Sequence, residues 1–237
     1  MSDLEVVMRE LYLIKRDIDA YSLHSKTFSK YKNMFNGQNV VLVATGPTLK
    51  YFVPIQDAVY VGVNSAFLYD KIHLDFLFIQ DYGTKSYLEK ALEYKTKKFY
   101  GILNKKPEII IPESVAIRHS AERYYTNYVK DPKINQDLDL VYDITTHPLT
   151  DYNSVVFSAI QFIAYANPKQ LYLVGCDCNA AGQFNTKTPN HLNLNCVKNG
   201  WQKTKEFMSI YYPETKIVSI NPVGLTGLFN DVYTIQR

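Results

Sequence analysis

Residues 39–45 read Asn39-Val-Val-Leu-Val-Ala-Thr45, an unbroken apolar run that Gly46-Pro47 stops at once. A strand with one wet face alternates apolar and polar residues; a continuous Val-rich run belongs to a strand covered on both faces. That requirement commits the chain to a sheet sandwiched between other layers. Further runs repeat the pattern: Ala58–Val63, Leu74–Gln80, Gln170–Gly175 and Lys216–Ile220, with shorter candidates at Lys98–Leu103 and Ile109–Ile111. Helical patterns alternate with them at Ser86–Tyr94, Ser154–Ala166 and Gly200–Tyr212. Strands alternating with helices predict an α/β fold, a mostly parallel sheet with right-handed crossovers and helices on both faces.

Two segments stand outside this alternation. Leu4, Val7, Leu11, Ile14 and Ile18 recur at three-to-four spacing and predict an N-terminal helix over about 4–35, with a break near Ser22–Ser25. Its stripe packs on the domain or on a partner copy. Residues 117–151 show little periodicity and many basic and tyrosine residues, among them Arg118, Arg123, Lys130 and Lys133. They read as an insertion or lid, because long irregular stretches in a packed domain are commonly functional. The organisation expected is a helical segment over 1–36 and a single domain over 37–237.

With 237 residues, 46% of them hydrophobic, the chain is long enough for one large core. A net charge of +3 is too mild for a duplex DNA binder but suits anionic small ligands, or contact with an acidic membrane surface. Three cysteines make no disulfide framework, which points to a reducing, cytoplasmic setting. The first residues lack a signal-peptide pattern, and no run of about 18 apolar residues occurs. Twenty tyrosines suit sugars and bases with an apolar face and a hydroxyl each, or reflect coding bias.

The polar residues that end the strands carry the functional reading. Thr45, Asn64, Asp81, Asp177 and Asn221 each close a run, and in a parallel sheet such ends face one crevice where ligands bind. Each taken alone is equally well a helix cap. Gly46-Pro47-Thr48 offers backbone N–H groups and a hydroxyl to a phosphate or base, yet it is neither a dinucleotide fingerprint nor a Walker loop. Asn153-Ser154 opens a helix, either as a plain cap or as an anion site. Cys176, Cys178, Cys196 and His191 do not have usual zinc spacing and read as buried thiols and a loop histidine. His191 lies in the polar stretch 185–195 after the Asp177 strand and is the candidate general base, with His147 as the second choice.

Four stretches resemble a known family. Val40-Val-Leu-Val-Ala-Thr-Gly-Pro-Thr-Leu49 is similar to the strand and Gly-Pro-Ser-Leu turn of the bacterial sialyltransferases of glycosyltransferase family 42. Val63-Asn64, then Asn153-Ser154-Val155 with Gln170–Asp177, then Lys205–Pro222, resemble its later motifs, as they do the related domain of motility-accessory and pterin-pyrophosphokinase-like proteins. The resemblance covers about 38–230. It implies a Rossmann-like, GT-A-type fold and metal-independent, inverting transfer from a CMP-linked nonulosonic acid such as CMP-sialic acid to a sugar hydroxyl of a surface polysaccharide or lipooligosaccharide. No further cofactor is implied. The nucleotide would sit on Gly46, Pro47, Thr48, Asn64, Ser154 and Asp177, and His191 is the nearest match to the family's base. Where the family has tyrosines after the aspartate, this chain has 178–184 without one, leaving Asn179 as the donor; Asp81 stands where sialyltransferases tend to have asparagine. A Mg²⁺-dependent pyrophosphokinase-like transferase using Asp81 and Asp177, and a non-catalytic nucleotide-sugar-binding module, are the alternatives.

Overall fold

A computed structural model of the chain describes residues 3–80, 85–103, 113–129, 133, 138–186 and 193–234. Among them, nine strands form one sheet: β1 (Asn39–Val43), β2 (Ala58–Val63), β3 (Phe76–Ile79), β4 (Lys97–Leu103), β5 (Glu122–Asn127), β6 (Leu149–Thr150), β7 (Gln170–Val174), β8 (Lys216–Ile220) and β9 (Asn230–Val232). The order is β6-β5-β4-β3-β2-β1-β7-β8-β9, and every neighbouring pair is parallel. This is the α/β, Rossmann-like architecture expected. The helices are α1 (Asp3–Phe28), α2 (Lys85–Glu93), α3 (Glu113–Arg118), α4 (Val155–Tyr165) and α5 (Leu194–Tyr211).

The unbroken apolar run is explained by two cores, one on each side of the sheet. Val40 and Leu42 of β1 point into a core built with α4, α5 and the end of α1; Val41 and Val43 point into a second, filled by Leu49, Phe52, Phe67 and Ala91. On the first face all eleven side chains of α4 are buried, which is why that helix is apolar on every side but for Ser158 and Gln161, both hydrogen-bonded. Phe78 stacks on Phe99 at 4.7 Å between ring centroids, and Phe162 of α4 meets both at 5.2–5.3 Å. On the second face the crossovers after β1 and β2 contain short 3₁₀ turns, Pro47–Tyr51 and Asn64–Leu68.

The stretch expected to be an irregular lid instead contributes two strands. β5 reads Glu-Arg-Tyr-Tyr-Thr-Asn, without an apolar run or a period-two alternation, and its outer edge is finished by side chains. β6 pairs only with Thr126 and Asn127. The rest of that edge is closed by α1: the Tyr125 N–H donates to His24 Nε2 at 2.7 Å, and Thr27 Oγ1 donates to the Arg123 carbonyl at 3.2 Å. These bonds and the burial of Phe28 keep α1 continuous through the break expected at Ser22–Ser25, and end it before the predicted Phe35. An edge covered this way is not a template for another strand. The strand expected at Ile109–Ile111 lies outside the described residues. No helix of the described residues is long and apolar enough to cross a membrane.

His24 makes this edge sensitive to acid. Its Nδ1 bonds the Ile144 carbonyl at 2.9 Å, and its Nε2 accepts from Tyr125, so the imidazole is neutral with its proton on Nδ1. Burial holds its pKa down at about 4, against 6.5 when free. Below pH 6.5 the unfolded chain binds the proton that the folded chain refuses. Stability is therefore full above pH 6.5 and falls as the pH drops towards 4, by on the order of 3 kcal/mol from this group. Urea midpoints across that window check the slope, and His24→Gln, which does not titrate, should flatten it.

Candidate active site

β1 begins a series that runs to one edge of the sheet, while β7, its other neighbour, begins the series to the opposite edge. The loops leaving the carboxyl ends of these two strands therefore diverge and leave a crevice between them. A cavity of about 370 Å³ opens there. Its wall comes from Thr45 and Gly46 after β1, Asn64 after β2, Gln80 after β3, 175–179 after β7, the start of α4, and the first turns of α5.

The turn after β1 is held by its neighbour. Ala44 N donates to Val174 O at 2.8 Å and Gly46 N to Gly175 O at 2.7 Å. Gly46 has φ −64°, so its glycine is not demanded by the backbone angle. It is demanded by space: a Cβ there would lie 2.5 Å from Gly175 O and 2.6 Å from Asp177 Cγ. Pro47 and Thr48, expected to hold the ligand, are not among the residues that line the cavity. Thr48 donates to the Asp177 carboxylate through its N–H at 2.8 Å and also through its hydroxyl. Asp177 is only 4% exposed. Burial pushes its carboxyl above the ordinary range, while the two Thr48 bonds favour the ionised form. Asp177 thus borders the cavity, and its geometry is that of a clamp on the β1 turn.

Asn64 and Gln80 brace the floor. Asn64, at φ 44°, accepts from Gln80 N at 3.0 Å. The Gln80 amide donates in turn to Tyr124 at 3.1 Å and to Ser158 at 2.9 Å. Asp151 organises the entry to α4: its Oδ1 accepts from Asn153 N at 3.0 Å and Val129 N at 3.2 Å, and its carbonyl accepts from Ser154 N at 2.6 Å. Asn153, at φ 63°, accepts from Tyr128 OH at 2.5 Å. Ser154 occupies the N-cap, yet its hydroxyl makes no capping bond. The first turn of α4, including Val155 and Val156, therefore faces the cavity without a side-chain cap and with no acidic residue. The positive end of a helix dipole presented this way attracts an anion.

The β7 loop closes the other side. Asn179 lines the cavity and its side-chain oxygen accepts from Ala181 N at 3.0 Å. Gln183 accepts from Ser65 at 2.9 Å, and Phe184 N donates to Thr45 O at 2.8 Å, so the loop folds back over the β1 turn. The described wall carries five carboxamides, Asn64, Gln80, Asn153, Asn179 and Gln183. Such groups pair a donor with an acceptor and match the edge of a nucleobase or the hydroxyls of a sugar.

Of the strand-end residues predicted to converge, Thr45, Asn64 and Asp177 line this one cavity. Asn221 does not: its side chain bonds Thr234 in both directions, at 2.7 and 2.8 Å, and fastens the β9 edge. Asp81 and His191 lie outside the described residues; His191 precedes cavity-lining Leu194 by three positions. His147 sits beside His24 at the opposite margin of the sheet, bonded to Thr146. Cys196 is buried and donates to Val129 O at 3.0 Å. Burial raises the Cys176 and Cys178 thiols, and none of the three cysteines forms a disulfide among the described residues. Among the described residues no group of three or more His, Cys, Asp or Glu is placed to hold a metal. Gln80, Tyr128, Asp151, Gln183 and Trp201 belong to the wall but were not singled out by the sequence. Only Gln80 left a signal, as the last residue of the run before Asp81. Comparison of the sequence with protein-family models gives no match, and comparison with curated proteins gives no significant one.

Proposed function

We propose that the crevice between β1 and β7 binds a nucleotide-activated sugar and that the chain is a glycosyltransferase. The observation that carries this is the start of α4, which opens into the cavity without a side-chain cap and beside five carboxamides. A CMP-linked donor such as a CMP-nonulosonic acid fits best, because it has a single phosphate and one helix end accommodates one phosphate. The resemblance of residues 38–230 to family 42 sialyltransferases supports the same donor.

In this reading the first turn of α4 stabilises the charge gathering on the phosphate oxygen as its bond to the anomeric carbon breaks. The acceptor oxygen attacks that carbon from the opposite side, giving inversion, and its proton passes to His191. The carboxamides hold base and sugar. No metal is needed for leaving-group stabilisation, and the engagement of Asp177 by Thr48 tells against the magnesium-dependent alternative. The acceptor is a surface glycan, met in the cytoplasm or at the inner face of the membrane. Thermal unfolding with CMP, UDP, GDP and ATP, with EDTA or with Mg²⁺, tests the donor. CMP in EDTA should raise the midpoint, since a ligand at about 100 times its Kd adds about 2.7 kcal/mol. Stabilisation by ATP and Mg²⁺ alone would replace this reading with the kinase-like one.

A further inference from the structure

We infer that the first five turns of α1 are an assembly device, a parallel coiled coil with further copies of this chain. Only the end of α1 belongs to the domain: Ala20, His24, Thr27 and Phe28 are buried. Before it, Leu4, Val7, Leu11, Ile14, Ile18 and Tyr21 are all exposed, from 53% to 70%. Their spacing alternates three and four without a slip, which places them at positions a and d of three successive heptads. A regular alternation at a period of 3.5 is the pattern of a helix packed against other helices, and Met8, exposed at position e, borders the seam. The seam is about 27 Å long at 1.5 Å per residue, a larger apolar strip than a monomer leaves in water.

Charge selects the occupant. Residues 3–21 hold five acids (Asp3, Glu5, Glu10, Asp17, Asp19) and three bases (Arg9, Lys15, Arg16), a balance of −2 that does not suit an acidic membrane surface. Between copies the same charges are complementary. By heptad register alone, a parallel arrangement opposes the acidic g position 10 to the basic e position 15 of the neighbouring chain, whereas an antiparallel one opposes the acidic g positions 10 and 17. Lys15 already bridges Asp19 within the helix at 2.8 Å, but both are exposed, so exchanging that partner costs little. The first two heptads have Leu4 and Leu11 at a and Val7 and Ile14 at d, with Ile18 and Tyr21 completing the third; γ-branched residues at a with β-branched ones at d shift the preference from two strands to more, and four is the count proposed.

Light scattering on the full chain tests this. The expected mass is four times the 27.3 kDa of the chain. Leu11→Asp combined with Ile14→Asp should reduce it to the monomer, and because both sites are exposed the unfolding of the domain should remain cooperative. Glu10→Lys should weaken assembly and Glu10→Lys with Lys15→Glu restore it. A wild-type monomer, an oligomer that survives the double aspartate variant, or a monomer that sediments with anionic vesicles would overturn the proposal. A dimer or trimer dispersed by the aspartates would uphold the seam and overturn the four-strand count.

Discussion

Gly46→Val is expected to lower the stability of the whole domain by roughly 2–4 kcal/mol, not only to block a ligand. The new Cβ would stand 2.5 Å from a backbone oxygen of Gly175 and 2.6 Å from the Asp177 carboxyl carbon. Neither neighbour yields easily. Gly175 is at φ 65° directly after a central strand, and its carbonyl already accepts from Gly46 N. Asp177 is held by Thr48. The strain therefore spreads to the β1–β7 pairing, in the middle of the sheet. A urea titration reads the effect as a lower midpoint at an unchanged slope. Asn179→Ala, in the same cavity but in a half-buried loop, serves as the contrast and should leave the midpoint nearly unchanged. A Gly46→Val protein within about 0.5 kcal/mol of wild type would mean that the turn has room that this packing denies.

His191→Ala should lower turnover of transfer by about 10²–10⁴-fold, the range for losing a general base, with nucleotide affinity almost unchanged. The rising limb that a histidine base gives the pH–rate profile should vanish with it. His147→Ala provides the control. His147 stands beside His24 at the far margin of the sheet, away from the cavity, so its loss should leave turnover within about twofold. Damage from His147→Ala with a mild His191→Ala would remove His191 from the mechanism.

The central sheet was legible because strands covered on both faces leave an unmistakable record: Ala58–Val63 and Lys216–Ile220 end where the sequence places them. β5 and β6 were not, because side chains from α1 finish that edge and no periodicity records a bond from His24 to Tyr125. The site was legible as a place more than as a set of roles. Thr45, Asn64 and Asp177 from strand ends and Ser154 from a helix start line one cavity because those ends converge by topology; Asn179, which lines it too, was named through the resemblance alone. What each does was hidden, since it depends on long-range partners. Asp177 is engaged by Thr48, 129 positions away, and Asn221 by Thr234. Asp151 and Tyr128 contribute to the wall through their contacts with Asn153, which sequence spacing does not reveal.

Calorimetric titration of CMP, in EDTA, into the wild-type protein and into Ser154→Asp addresses the anion site at the start of α4. An aspartate at that N-cap supplies the missing cap and complements the helix dipole, so the variant should be as stable as wild type or more so. If a nucleotide phosphate binds there as proposed, the same carboxylate would face it, and like charges so placed cost several kcal/mol. Wild-type protein should bind CMP without metal, and Ser154→Asp should bind it on the order of 100-fold more weakly while its melting temperature holds or rises. Undiminished CMP binding by the variant, or none by the wild-type protein, would contradict the placement of a nucleotide phosphate there.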